Sequence, residues 1–209
     1  MKRYWKNVEV YSYNELEEKA RGRVNDMYFE SKANCDADVF EESIIEDLKE
    51  KWGVTDLKPL YSLSYCQGDG LCLHGYVSFA DILANENLRN VVCYGVDIET
   101  HKNVLTEVLD GFNLEHRGNF YHAYMVNIET CDDPYVDDYT KEIEIIVSKL
   151  SDNFNGWYHN RCREYEKLGY KMFYDYSDDD VKEWIEINDF AFDKCGILVG
   201  CYSDLKEAV

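Results

Sequence analysis

Apolar positions change period along the chain, and the changes divide it. Residues 2–10 alternate as a strand does. A helical stripe follows, with Leu16, Ala20, Val24, Met27 and Tyr28 on one side. It opens with Ser12-Tyr13-Asn14-Glu15, a capping box with Ser12 as N-cap and Glu15 at N3. A second helix is predicted over 37–52. Phe40, Ile44, Ile45, Leu48 and Trp52 form its apolar face, Asp38, Glu41, Glu42, Glu46 and Asp47 lie opposite, and Gly53 supplies the stop. The period then drops to two. Residues 57–66 and 71–79 read as paired strands joined by Gly68-Asp69-Gly70, a turn that accepts positive φ. Residues 90–98 read as a further strand, and 102–110 fit either helix or strand. A second hairpin is predicted from 112–116 and 119–129 around Arg117-Gly118. It places Phe120, His122, Tyr124, Val126 and Ile128 on one face and Tyr121, Ala123 and Met125 on the other.

The last third returns to the helical period. Ile146, Leu150, Phe154, Trp157, Arg161, Tyr165 and Leu168 step by three or four along a helix over 137–168, with Gly156 inside and Gly169 placed as a C-cap. Ser177 followed by Asp178, Asp179 and Asp180 starts another helix, with negative charge where the helix dipole favours it. Val181, Trp184 and Ile185 are its apolar face, and 190–201 return as a short strand or ordered tail. These elements predict one α+β domain over 1–209. An antiparallel sheet built from hairpins (57–129) is packed by N-terminal (12–53) and C-terminal (137–190) helices.

Charge sharpens the picture. The chain carries 42 acidic residues against 22 basic ones, a formal net charge of −20 at pH 7. Hydrophobic residues still make up 45% and aromatics 15%, which excludes a disordered chain. Proteins that grip a nucleic-acid backbone carry a basic footprint, so direct nucleic-acid binding is not expected, nor is attachment to an anionic membrane. A basic protein surface is the partner such a charge attracts. The N-terminus MKRYWKNVEVYSYNE has no apolar core of a signal peptide, and no run of 18 apolar residues occurs. A cytoplasmic protein is expected. The eight cysteines are scattered with no C-x-x-C spacing, so free thiols are the default.

Three groups of residues carry candidate chemistry. Gln67-Gly68-Asp69-Gly70 presents an amide and a carboxylate on a glycine turn; the alternative is a turn whose Asp accepts backbone N–H bonds. Cys66, Cys72 and His74, with Cys195 and Cys201, contain the donor types of a zinc site but no short ligand pair. No other cofactor is implied. Cys66 or Asp69 with His122 forms the only nucleophile–base or acid–base pairing at hand. P-loop, G-x-S-x-G and H-E-x-x-H motifs are absent, so an enzyme is not the expected outcome.

The order of a capped helix (YSYNELEEKARGRV), an acidic–aromatic helix, YSLSYCQGDGLCLHG, NFYHAYMVNIET and REYEKLGYKMFYDYSDDDVKEWIEINDFAF over residues 10–195 resembles a family of small phage and mobile-element proteins. That family carries a serine- or cysteine-QGDG motif, a tyrosine–histidine strand and a C-terminal helix ahead of an acidic segment, and its members are often labelled antitoxin-like or uncharacterised. Here Cys66 stands where serine is usual, and Ala123 follows His122 where an acidic residue is usual. The resemblance implies an inhibitor of a host defence nuclease, of the anti-CRISPR or anti-restriction kind, that occupies a basic nucleic-acid channel as a DNA mimic. Antitoxin-type neutralisation of a basic toxin is the alternative, and a metal- or thiol-dependent enzyme centred on the QGDG loop is another. The residues expected to meet the partner are Asp132, Asp133, Asp137 and Asp138 around Pro134, Asp178, Asp179, Asp180 and Glu183 on the late helix, and Gln67 and Asp69 of the turn. A further acidic cluster comprises Asp36, Asp38, Glu41, Glu42, Glu46 and Asp47.

Overall fold

The structure is a computed structural model that describes residues 3–5, 8–132, 141–201, 203 and 206–207. The chain runs β1 (Arg3–Trp5), β2 (Val8–Val10), a 3-10 turn (Tyr13–Glu15), α1 (Glu18–Trp52), β3 (Leu57–Ser62), β4 (Gly70–Ser78), α2 (Phe79–Ala84), α3 (Glu86–Val92), α4 (Ile98–Val108) and β5 (Leu109–His116). A second 3-10 turn (Ala123–Met125) then leads to β6 (Val126–Asp132), α5 (Lys141–Tyr174), α6 (Asp178–Ile187), β7 (Phe190–Phe192), β8 (Leu198–Cys201) and β9 (Lys206–Glu207). This is an α+β fold. The chain divides into two compact units, one made of residues 1–38 with 171–209, the other of residues 39–170.

The first unit contains the sheet β2-β1-β9 and the hairpin β7-β8. Its core is the predicted stripe of Leu16, Ala20, Val24 and Tyr28 packed against Val181 and Ile185 of α6 and Phe192 of β7. Tyr28 meets Tyr176 and Trp184 edge-on, with ring centroids 5.2 and 5.4 Å away. The capping box at Ser12 exists, but it closes the 3-10 turn and not the long helix: Ser12 N and Oγ each donate to Glu15 Oε2 at 2.7 Å. The box at Ser177 does cap α6, with Ser177 N donating to Asp180 Oδ2 at 2.7 Å.

The second unit is built on an antiparallel sheet ordered β3-β4-β5-β6. Alternation in β5 buries Phe112 and Leu114 and exposes Asn113 and Glu115, so one face is covered. Phe40, Ile44 and Leu48 of α1 and Leu150, Phe154, Trp157 and Tyr158 of α5 are all buried. Phe154 stacks flat on Phe112 at 4.2 Å. β3 is an edge strand that carries Pro59, opposite Leu73 of β4. Proline has no N–H to give, and none is needed, because Leu73 directs its own N–H and C=O away from β3. Pairing of β4 with β5 stops at Gly75, and the Tyr158 hydroxyl takes over. It accepts from Leu73 N at 3.3 Å and donates to Leu73 O at 3.2 Å.

Several expected elements are corrected. The two N-terminal helices are one, α1, of 35 residues. Residues 29–36 hold no glycine or proline, so nothing interrupts the hydrogen-bond ladder. The strand expected at 90–98 is helical up to Val92. Asn85 caps α3 by accepting from Leu88 N at 2.9 Å, and Leu88 and Val92 are buried one turn apart. The ambiguous 102–110 belongs to α4, capped by Asp97, up to Val108. Residues 119–125 are not strand; β6 begins at Val126. Gly169 is not a C-cap, since α5 continues to Tyr174. A side chain at Gly169 has no room, because a Cβ there would run into Leu63 and lie 2.7 Å from Phe40 Cζ.

Candidate functional site

The QGDG loop links β3 to β4. Its conformation follows from one carboxylate. Asp69 is buried at 9% exposure. Its Oδ2 accepts from the backbone N–H of Ser64 at 2.6 Å and of Cys66 at 2.7 Å, and its Oδ1 from Ser62 Oγ at 2.7 Å. Two amides converging on one oxygen around a residue of positive φ form an anion-binding nest, and here the chain's own aspartate fills it. Burial pushes the Asp69 carboxyl up, but the hydrogen bonds from Ser62, Cys66 and Ser64 outweigh it and hold the group below its ordinary value. The residue between the two clamped amides is Tyr65. It sits at φ +56°, its side chain is 70% exposed, and its ring lies 4.7 Å from that of Tyr170, tilted by 30°.

The glycines of the motif are explained by what packs on them. Gly68 has φ +97°, and a Cβ there would run into the Phe120 ring. A Cβ on Gly70 would lie 2.8 Å from His122 Nδ1. Tyr121 N donates to Gly68 O at 3.3 Å, and Arg117 N to Met125 O at 2.8 Å. The segment predicted to be the start of a strand is therefore a loop laid on the QGDG turn. Its rings run in series. Phe120 and His122 are 6.4 Å apart, and His122 stacks on Tyr124 at 4.8 Å. Phe120 and Tyr124 are 46% and 69% exposed.

Among the described residues, the Asp69 carboxylate bonds to Ser62, Ser64 and Cys66 and not to His122. Cys66 is exposed and its Sγ contacts Ser64 O at 3.6 Å. Gln67 is exposed; Asp69 is buried and its carboxylate clamps the loop. Of the zinc candidates, Cys72 is fully buried and burial pushes its thiol up to about 11. His74 and Cys201 are half-buried and Cys195 is exposed. Among the described residues, no three or more His, Cys, Asp or Glu side chains gather as a metal site. No described helix is long and apolar enough to cross a membrane.

The acidic residues fare unevenly. Asp133, Asp137 and Asp138, and the side chain of Asp132, lie outside what the structure describes. On α6, Asp178, Asp179 and Asp180 are exposed and also bonded within the fold. Asp178 accepts from Tyr13 OH at 3.1 Å, Asp179 pairs with Lys182 at 2.9 Å, and Asp180 closes the capping box. Glu183 is exposed. On α1 the position differs. Glu42, Glu46 and Glu50 repeat every four residues, so they form one line about 6 Å apart along the axis. All three are exposed, and no ion pair among the described residues engages them. Glu50 carried no expectation from the sequence, although the helix predicted over 37–52 already contains it.

A cleft of about 340 Å³ between α1 and α5 is lined by Asp47, Lys51, Arg161, Glu164 and Tyr165, among others. Tyr165 OH donates to Asp47 at 2.6 Å, and Arg161 pairs with Glu164 at 2.6 Å while lying 4.7 Å over the Trp52 ring. Arg161 Nε is buried with no hydrogen-bond partner among the described residues. Burial and the bond to Asp47 push the Tyr165 phenol well above its ordinary value.

The sequence profile of one family, described as Domain of unknown function (DUF8835), matches residues 38–178. The match covers all of the second unit, with the QGDG loop, the ring series and the α1 glutamates inside it. No curated protein and no solved structure matches the chain.

Proposed function

Since this chain belongs to the DUF8835 family, whose description names no activity, we propose its function from its residues: it binds a basic surface of a nucleic-acid-processing protein and blocks it, as an inhibitor of the anti-restriction or anti-CRISPR kind. The observation that carries this reading is the line of Glu42, Glu46 and Glu50. Like charges at i, i+4 cost a helix about 0.2–0.5 kcal/mol per pair. The chain keeps two such pairs in sequence, and no ion pair among the described residues engages them. A surplus of −20 also exceeds what solubility requires, roughly 2–8 in a small domain. Such a field steers a cationic groove toward the chain and repels the nucleic acid that the groove normally holds.

The test begins with capture of the partner from a host extract and its identification by mass spectrometry, followed by titration of the purified pair. Affinity is expected to fall steeply between 50 and 300 mM salt. The triple change Glu42→Lys, Glu46→Lys, Glu50→Lys is expected to weaken binding by about tenfold or more without loss of helical circular dichroism. Reversal at Asp132 and Asp133 tests the segment before α5 in the same assay. A basic toxin in place of a nuclease would redirect the reading to an antitoxin. Binding that ignores both salt and charge reversal would end it.

A further inference from the structure

We propose that Tyr65, held outward by Asp69 and tilted against Tyr170, grips an arginine side chain of the basic partner; this rests on the reading above and names the contact. A bulky residue at φ +56° occupies backbone space that glycine or asparagine fills far more readily. A fold keeps such strain only where the surroundings over-determine it. Here the device is explicit, since the amides on both sides of Tyr65 are drawn onto the same Asp69 oxygen at 2.6 and 2.7 Å. What the strain secures is not burial, because 70% of the residue faces solvent. The outcome is a phenol ring presented beside a second ring, 4.7 Å away, on a loop that hydrogen bonds hold fixed.

The ring's counterpart follows from its chemistry and from the charge of the chain. An aromatic face is electron-rich and attracts a cation, and a planar guanidinium both stacks on it and pairs with carboxylates. Nucleobases also stack on tyrosine, but they arrive with phosphates, which a chain of net charge −20 repels. Arginine is therefore preferred over lysine, and a protein over a nucleic acid. Asp69 becomes a positioning residue, which accounts for why the QGDG turn spends its carboxylate internally.

The test uses fluorescence anisotropy at low salt with labelled hexa-arginine and hexa-lysine peptides and the full chain. Wild type is expected to bind hexa-arginine more tightly. Tyr65→Ala is expected to weaken hexa-arginine by about threefold to thirtyfold and to change hexa-lysine by less than about twofold, with Tyr65→Phe restoring the wild-type value. Equal hexa-arginine binding by wild type and Tyr65→Ala would overturn the tyrosine contact and leave the electrostatic reading in place. Failure of both peptides to bind wild type would remove the electrostatic reading and this inference with it. Tyr65→Gly separates recognition from folding. It relieves the backbone, so its melting temperature is expected to equal or exceed that of wild type while the arginine preference is lost. A clear drop in melting temperature would show that the ring supports the fold, and that too would overturn the proposal.

Discussion

At the scale of single residues, Asp69 carries the most structure. Its oxygens accept from two backbone amides and the Ser62 hydroxyl, with Ser64 Oγ a longer 3.4 Å away. Asn in its place can keep an oxygen on the two amides and turn its NH2 to the Ser62 and Ser64 hydroxyls, which accept as well as donate, so what is lost is the negative charge of the acceptor. The expected cost is about 1–2 kcal/mol, measured by urea unfolding at pH 7. The pH dependence has a definite sign. The folded carboxyl titrates below its ordinary value of 3.8, so its stabilisation is complete above that value and is lost as pH falls through the lower folded one. The gap between wild type and Asp69→Asn should therefore narrow on acidification below about pH 4. An equal gap at pH 7 and pH 2.5 would show that the ionised form is not what the loop uses. The sequence allowed two roles for this aspartate, functional presentation and turn clamp, and the coordinates select the clamp. Tyr65, by contrast, was invisible as a special residue. It fell within an alternating strand pattern, and its positive φ arises from a carboxylate four positions later.

At the scale of elements, patterns with local causes were legible and patterns with distant causes were not. The β3–β4 pairing, the Ser177 cap and the stripe of Leu16, Ala20, Val24 and Tyr28 stand as expected, since each is encoded by neighbouring residues. Residues 90–98 misled because a short apolar run does not distinguish a strand from a buried helical turn, and the Asn85 cap decided it. Residues 119–125 misled because their alternation is real but serves packing on Gly68 and Gly70 rather than a sheet. Glycine in the long helices shows the same split. Gly22 of α1 and Gly156 of α5 have nothing within 4 Å of where a Cβ would stand, whereas at Gly169 the Cβ would collide with Leu63 and Phe40. Gly22→Ala and Gly156→Ala are each expected to stabilise by about 0.5–1 kcal/mol. Gly169→Ala is expected to destabilise by about 1–3 kcal/mol through overpacking. Thermal unfolding of the three variants checks this, and a stabilising Gly169→Ala would mean that the Phe40 and Leu63 side chains yield freely.

At the scale of the whole molecule, the governing quantity is charge, and both units share it. Residues 39–170 contain 24 acidic side chains against 11 basic ones, and the remainder 18 against 11. A composition count shows the surplus, but it cannot show that α6 uses its aspartates for capping and for Lys182 while no ion pair among the described residues engages the glutamate line of α1. That distinction depends on geometry and moves the weight of the functional proposal from one helix to the other. Salt then acts on stability and on binding in opposite directions. A net charge of −20 opposes compaction by self-repulsion, and ions at 0.5 M shrink the screening length from roughly 20 Å at 20 mM to about 4 Å. The few described ion pairs are mostly exposed and lose little by screening. The melting temperature should therefore rise as NaCl goes from 20 to 500 mM, by several degrees if a kilocalorie or so of repulsion is relieved. Over the same range the affinity for a basic partner should fall, because the attraction being screened is the one that drives association. A protein whose acidity merely decorates its surface would show the first effect without the second, so scanning calorimetry and titration of one sample across one salt series separate a solvated acidic coat from a binding face.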